Sequence, residues 1–135
     1  MFFSKYKVNV SDINYGGHMG NERALILFQQ CRIDFFHFLG LSEINIGDNI
    51  GTIQKDAHVN YHKEIFLGTL LTIRIKNIEL SRTSFNVFYE ILNQDYETLI
   101  DGSTLIVAYD YEKKKISKLP NIFKDSLNEY LKNIK

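Results

Sequence analysis

Cysteine and proline occur once each in this chain, and tryptophan is absent. A lone cysteine, Cys31, closes no internal disulfide and builds no thiolate metal cluster. It sits in an apolar stretch, where a thiol behaves as a small hydrophobe. His37, six residues on, falls on another helical face, so no cysteine–histidine nucleophile is expected. Net charge is missing too: 16 Lys and Arg balance 16 Asp and Glu. That balance leaves no basic footprint for nucleic acid or an anionic membrane, and it makes self-association less costly. No run reaches the roughly 18 apolar residues of a membrane-crossing helix. The start, Met1-Phe2-Phe3-Ser4-Lys5-Tyr6-Lys7, turns polar too soon for a signal peptide, so the expectation is a cytoplasmic protein with no membrane span.

What is present is 135 residues, 44% hydrophobic and 24% charged, the make-up of one ordinary folded domain spanning 1–135. Eight tyrosines and ten phenylalanines suggest strands, an interface or an apolar ligand site. Tyr6–Val10 alternates and reads as a short strand. The glycine- and asparagine-rich stretch from Ser11 to Asn21 reads as a loop. Asn21 is placed to cap a helix from Glu22 to Leu39 that stops at Gly40. Ala24, Leu27, Phe28, Cys31, Phe35, Phe38 and Leu39 fall on one helical face, but Leu25, Ile26, Ile33 and Phe36 lie off it. Apolar residues on several faces predict a helix buried on more than one side.

Four strands are expected next: Gly51–Tyr61, Thr69–Leu80 with a bulge near Lys76-Asn77, Thr83–Leu92 and Glu97–Tyr111. Leu105 to Tyr109 is apolar on both faces, which predicts a central strand. Glu112-Lys113-Lys114-Lys115 reads as a solvated turn, and Asn121–Ile134 as a C-terminal helix. The fold class is therefore α+β: a long central helix wrapped by a curved antiparallel sheet. The other sheet face keeps apolar residues, which suggests that a second subunit covers part of it.

The chemistry concentrates in the loop. Asp12, Asn14, His18, Asn21 and Glu22 lie within eleven residues. Glycines let backbone approach a ligand closely, and a helix start offers free N–H groups to an oxyanion. A carboxylate, an imidazole and such donors are the minimum for acyl transfer or hydrolysis. Each also has a structural reading: Asp12 and Asn14 as turn formers, His18 as a hydrogen bonder, Glu22 as a first-turn acid. No metal is expected. His58 and His62, four apart on a strand, are about 13 Å from each other, and Asp56-x-His58 lacks a third ligand.

The loop Asp12-Ile13-Asn14-Tyr15-Gly16-Gly17-His18-Met19-Gly20-Asn21 resembles the D-x-D-x-x-G-H-V-N-N loop of the hot-dog-fold acyl thioesterases. That family includes the 4-hydroxybenzoyl-CoA thioesterase group and the plant acyl-carrier-protein thioesterases. The helix with Phe28, Cys31-Arg32 and Phe35, the stretch Phe66-Leu67-Gly68-Thr69-Leu70 and the turn Ser81-Arg82-Thr83-Ser84 are similar to family features, from about Val8 to Asp110. The resemblance implies a hot-dog fold, a homodimer or homotetramer with its site at the subunit interface, and hydrolysis of an acyl-CoA or acyl-carrier-protein thioester. CoA would enter as part of the substrate, and no separate cofactor is implied.

Asn14 stands where the family's catalytic Asp stands, and an amide is no base. Asp12 or Glu22 is then expected to activate water, with Asn14 and His18 orienting, while Glu64 comes from the partner subunit. Tyr15, Gly17, Gly20, Asn21, Phe28 and Arg82 are the expected substrate-binding residues. Leu25, Phe36, Phe85 and Phe88 are further expected lining. Two alternatives stay open: a non-catalytic acyl-CoA-binding or interaction protein, and an acyl-thioester dehydratase or hydratase. The histidine-phenylalanine-proline-glycine motif of the last is absent.

Overall fold

The computed structural model describes residues 1–133. Its elements run β1 (Phe3–Lys7), a 3-10 turn (Val10–Asp12), α1 (Arg23–Phe38), β2 (Gly51–Tyr61), β3 (Leu70–Leu80), β4 (Ser84–Leu92), β5 (Thr98–Asp110), β6 (Lys115–Ile116) and α2 (Asn121–Asn133). The strands form one antiparallel sheet in the order β1-β3-β4-β5-β2, with β6 pairing the end of β5. This is the expected α+β architecture, with α1 packed on one sheet face. Among the described residues no helix is long and apolar enough to cross a membrane.

Alternation along the strands sends one set of side chains to α1. Ile73 and Ile75 of β3, Phe85, Val87, Tyr89 and Ile91 of β4, and Ile100 and Ile106 of β5 are all buried. They meet Ala24, Leu27, Phe28, Cys31, Phe35 and Phe36 of α1. The slip at Lys76-Asn77 is a bulge, with the β3–β4 register shifting between Ile75 and Asn77. β5 lies between β4 and β2, which accounts for its two apolar faces. At the far end Phe85 packs tilted against Phe123 of α2, their ring centroids 4.8 Å apart. Ile134 of the expected C-terminal helix lies outside the described residues.

Three expectations change. The first strand is Phe3–Lys7, because Phe3 to Lys7 pair with Leu70 to Arg74 and Val8 leaves the sheet at Thr69. Asn9 then caps the 3-10 turn in a reciprocal box with Asp12. The expected turn is present over 111–114, and β6, two residues long, is an addition just after it. α1 is buried along one stripe only: Leu25 is 36% and Ile26 45% exposed, and Phe38 64%. The reason is topological: the sheet covers one side of α1, and α2 and Phe2 add contacts only toward its end, at Phe35, Phe36 and Phe38.

Candidate active site

The loop ahead of α1 is built on Asp12. This carboxylate is buried, and both oxygens are taken. Oδ2 accepts from the Tyr6 hydroxyl at 2.6 Å and the Asn9 N–H at 2.9 Å. Oδ1 accepts from Arg23 Nε at 2.9 Å and ion-pairs with Nη2 at 2.8 Å. Burial pushes the Asp12 carboxyl up, but these donors outweigh it and hold it below the ordinary value. Asp12 thus ties β1 to the first residue of α1. A sequestered, fully bonded carboxylate is a poor base, which corrects its expected place among the water-activating groups.

Asn14 is likewise occupied: its Oδ1 accepts from the Gly16 N–H at 2.9 Å, closing the turn. Gly17 takes φ +86°, which a side chain would resist. Tyr15 projects fully into solvent. The loop returns through Met19, whose N–H donates to the Ile65 carbonyl at 2.7 Å. That bond brings the segment after β2 against the start of α1.

Between them is a cavity of about 170 Å³, lined by His18, Met19, Gly20, Asn21, Tyr61, His62, Lys63, Glu64, Ile65 and Ile100. Glu22, already helical at φ −65° and ψ −20°, is the N-cap position, with no side-chain cap bond. This moves the helix boundary one residue past the expected Asn21 cap. Arg23 N–H reaches the Gly20 carbonyl and Ala24 N–H the Asn21 carbonyl, at 3.1 and 3.4 Å. The Asn21 and Glu22 N–H groups find no acceptor among the described residues. They are the open donors of a helix start, beside a cavity that Asn21 lines.

The Glu22 carboxylate folds back over Gly20. A Cβ on Gly20 would stand 2.5 and 2.6 Å from its two oxygens. Gly20, where the family often carries Asn, is therefore the residue that makes room for this acid. Tyr61 closes the other wall, its hydroxyl donating to the Asn21 carbonyl at 2.7 Å. Burial, and after it the neighbouring Glu22 charge, hold the Tyr61 hydroxyl above its ordinary value. His18 Nδ1 lies 3.2 Å from the Met19 carbonyl oxygen. A carbonyl only accepts, so in this contact Nδ1 is the donor.

The cavity thus gathers His18, Gly20 and Asn21, with the Glu22 carboxylate beside them over Gly20, and adds Tyr61, His62, Lys63 and Glu64. Glu64 of this same chain lines the cavity. Phe28 is core: it is buried and stacked on Tyr89, 4.4 Å between centroids and 6° between planes. Leu25, Phe36, Phe85 and Phe88 do not line this cavity either. Arg82 lies in the β3–β4 turn, at the end of the sheet away from the cavity, where its carbonyl accepts from the Leu119 N–H. In the half of the cavity after β2, only Glu64 was among the expected residues. That half is assembled by a backbone bond between residues 46 apart in sequence, Met19 and Ile65.

A helix laid on an antiparallel sheet, with an open helix start beside a carboxylate and an imidazole, is an architecture with known kin. The profile of the Thioesterase-like superfamily matches residues 8–127, and the chain belongs to that family. Its sequence is 25% identical over 114 residues to the uncharacterized protein YsmA of Bacillus subtilis, covering 84% of this chain and 76% of that one. The fold is similar to the hypothetical protein SAV2348 from Staphylococcus aureus, solved in complex with CoA. There the TM-score is 0.85 and identity 19%, over 98% of this chain and 84% of that one. It is also similar to Slr0204, a 1,4-dihydroxy-2-naphthoyl-CoA thioesterase from Synechocystis, with TM-score 0.83 and identity 20%, over 93% of each chain.

Proposed function

We propose that the chain hydrolyses an acyl thioester of CoA or of a carrier protein to free acid and thiol. The observation that carries this is the open first turn of α1, with the Glu22 carboxylate folded over Gly20, itself a lining residue of the cavity. The thioester carbonyl oxygen sits against the Asn21 and Glu22 N–H groups, which stabilise the negative charge that develops on it. Glu22 takes a proton from water as the water oxygen bonds to the carbonyl carbon. His18 Nε2 accepts that water's second hydrogen and orients it. Collapse breaks the carbon–sulfur bond, and the proton passes from Glu22 to the leaving sulfur. Glu64, on the opposite wall, is the second carboxylate within reach of a bound ester. CoA fits because two relatives in fold carry it, one as a bound molecule and one in its substrate.

The working unit is a homodimer, with further pairing into a tetramer. β2 is an eleven-residue edge strand with one side of its backbone unpaired, and such an edge is a template for a second strand. A copy added there continues the sheet and covers Leu25 and Ile26. A cytoplasmic site of action fits a chain whose single thiol is buried and unpaired.

The experiment is a panel of acyl-CoA esters with release of free thiol followed in real time. Turnover that falls at least about a hundredfold in Glu22→Gln supports the reading. Turnover that survives Glu22→Gln and is abolished in Glu64→Gln moves the base to Glu64. Tight acyl-CoA binding with no turnover by the wild type favours the binding-protein alternative, for which Asn14 in the family's acid position is the specific observation.

A further inference from the structure

A second cavity, of about 270 Å³, opens on the same side of the sheet, lined by Gln29, Arg32, Glu43, Thr52, Gln54 and Ile106. Its floor is a charge that the thioester chemistry above does not use. Arg32 is 3% exposed. Its Nε donates to Glu43 Oε1 at 2.6 Å, and its Nη1 to the Tyr89 hydroxyl at 2.8 Å and to Thr104 Oγ1 at 3.3 Å. Nη2 has no partner among the described residues, yet it is not one of the buried polar atoms sealed without a bond. A guanidinium this buried, with one edge unspent and open to a cavity, is a recognition element looking for an acceptor.

The two cavities lie toward opposite ends of β2. Tyr61 marks the first and Gln54 and Thr52 the second. Between them Val59 and Ala57 of β2 pair with Gly102 and Thr104 of β5, on the face that looks toward α1, and both are only half-buried. Leu25, on the same helix as Gln29 and Arg32, is 36% exposed. This face of β2 is thus apolar between the two cavities and polar at Gln54 and Thr52. From Glu22 to Arg32 is ten residues of helix, about 15 Å along the axis, a span of roughly a dozen bonds of extended chain.

We infer that this cavity is the distal subsite of the thioester cleft and takes the uncharged, hydroxyl-bearing end of a long acyl chain. The inference rests on the thioesterase reading and names its substrate class. Charge selects against an acid: Glu43 already neutralises Arg32 and would repel a second carboxylate. A hydroxyl satisfies both groups, accepting from Arg32 Nη2 and donating to Glu43 Oε2. Among the described residues, the only other hydrogen bond to Oε2 is a long one, 3.5 Å, from Gln29. A plain methyl terminus would strip water from the guanidinium and return nothing.

The test compares dodecanoyl-CoA with 12-hydroxydodecanoyl-CoA on the full chain, both by kcat/KM and by calorimetric Kd. The wild type should favour the hydroxylated ester about tenfold or more. Arg32→Lys should bring that ratio to within twofold. Because Arg32→Lys risks the fold, Gln54→Phe is the second variant. It fills the cavity from an exposed edge-strand position and should collapse the ratio in the same way. Since a ratio is read, a general loss of active protein cancels. Equal kcat/KM and Kd for the two esters, or a preference untouched by Gln54→Phe, overturns the subsite and leaves the hydrolytic reading standing. Tenfold tighter binding of the hydroxylated ester with no turnover of either keeps the subsite and overturns hydrolysis. No binding of either ester overturns both.

Discussion

Replacing Gly20 with alanine should disable the site without harming the fold. A Cβ at this position meets the Glu22 carboxylate at 2.5 and 2.6 Å and its carbon Cδ at 2.9 Å. All three belong to the end of a flexible side chain, which swings away at little cost. The backbone itself accepts alanine: Gly20 is not among the positive-φ residues, and its N–H and carbonyl bonds to Asp12 and Arg23 do not involve a side chain. Stability should therefore change by less than about 1 kcal/mol, in either direction. Activity should not survive as well. A positioned general base contributes about 10²–10⁴ in rate, equivalent to about 3–5 kcal/mol in the barrier. If alanine expels Glu22 from its place over residue 20, kcat should fall at least tenfold, with thermal unfolding unchanged. The double variant sharpens this. Gly20→Ala placed on Glu22→Gln should cost almost nothing more, because both changes remove the same group. Gly20→Ala retaining activity within twofold, or losses that simply add in the double variant, would refute the role given to Glu22.

Asp12→Asn should lose stability while sparing the chemistry. It leaves Arg23 short of its counter-charge at a buried site and should cost about 1–3 kcal/mol in urea unfolding. Because the folded-state pKa of Asp12 is depressed, its contribution is present above the unfolded value, about 3.9. The contribution disappears as pH falls through the folded value, so the gap between wild type and Asp12→Asn should close in acid. Phe28→Ala, which empties a buried ring stacked on Tyr89, should cost about 3–5 kcal/mol, read as a drop in urea midpoint. Burial pushes the Cys31 thiol up to about 12. The native chain at pH 8 should therefore react with a thiol reagent only at the rate of unfolding, and rapid labelling of native protein would contradict the burial.

The strands were legible wherever a sequence period meets a two-sided environment. β2, β3 and β5 appear within a residue or two of their expected bounds, and the Lys76-Asn77 phase slip marked a real bulge. β1 was less so, because alternation in Tyr6–Val10 is local while the pairing of Phe3–Lys7 with Leu70–Arg74 is not. α1 was expected to be enclosed, since Leu25, Ile26 and Phe38 are apolar. In the chain by itself they remain exposed. Within the site, His18, Gly20 and Glu22 stood out by residue type and spacing. The burial of Asp12 did not, because its partners Tyr6 and Arg23 lie six and eleven residues away on different elements. Of the wall from Tyr61 to Ile65 only Glu64 was expected at the site, because only the folded sheet brings this segment to the loop.

The account turns on a carbonyl bound at the start of α1, and a crystal structure with a non-hydrolysable ketone analogue of an acyl-CoA tests that directly. The analogue's carbonyl oxygen should lie about 2.7–3.1 Å from the Asn21 and Glu22 backbone nitrogens, with the Glu22 carboxylate over Gly20 on the side open to water. A carbonyl bound elsewhere, or a partner subunit packed so that it closes this turn to the ligand, would contradict it.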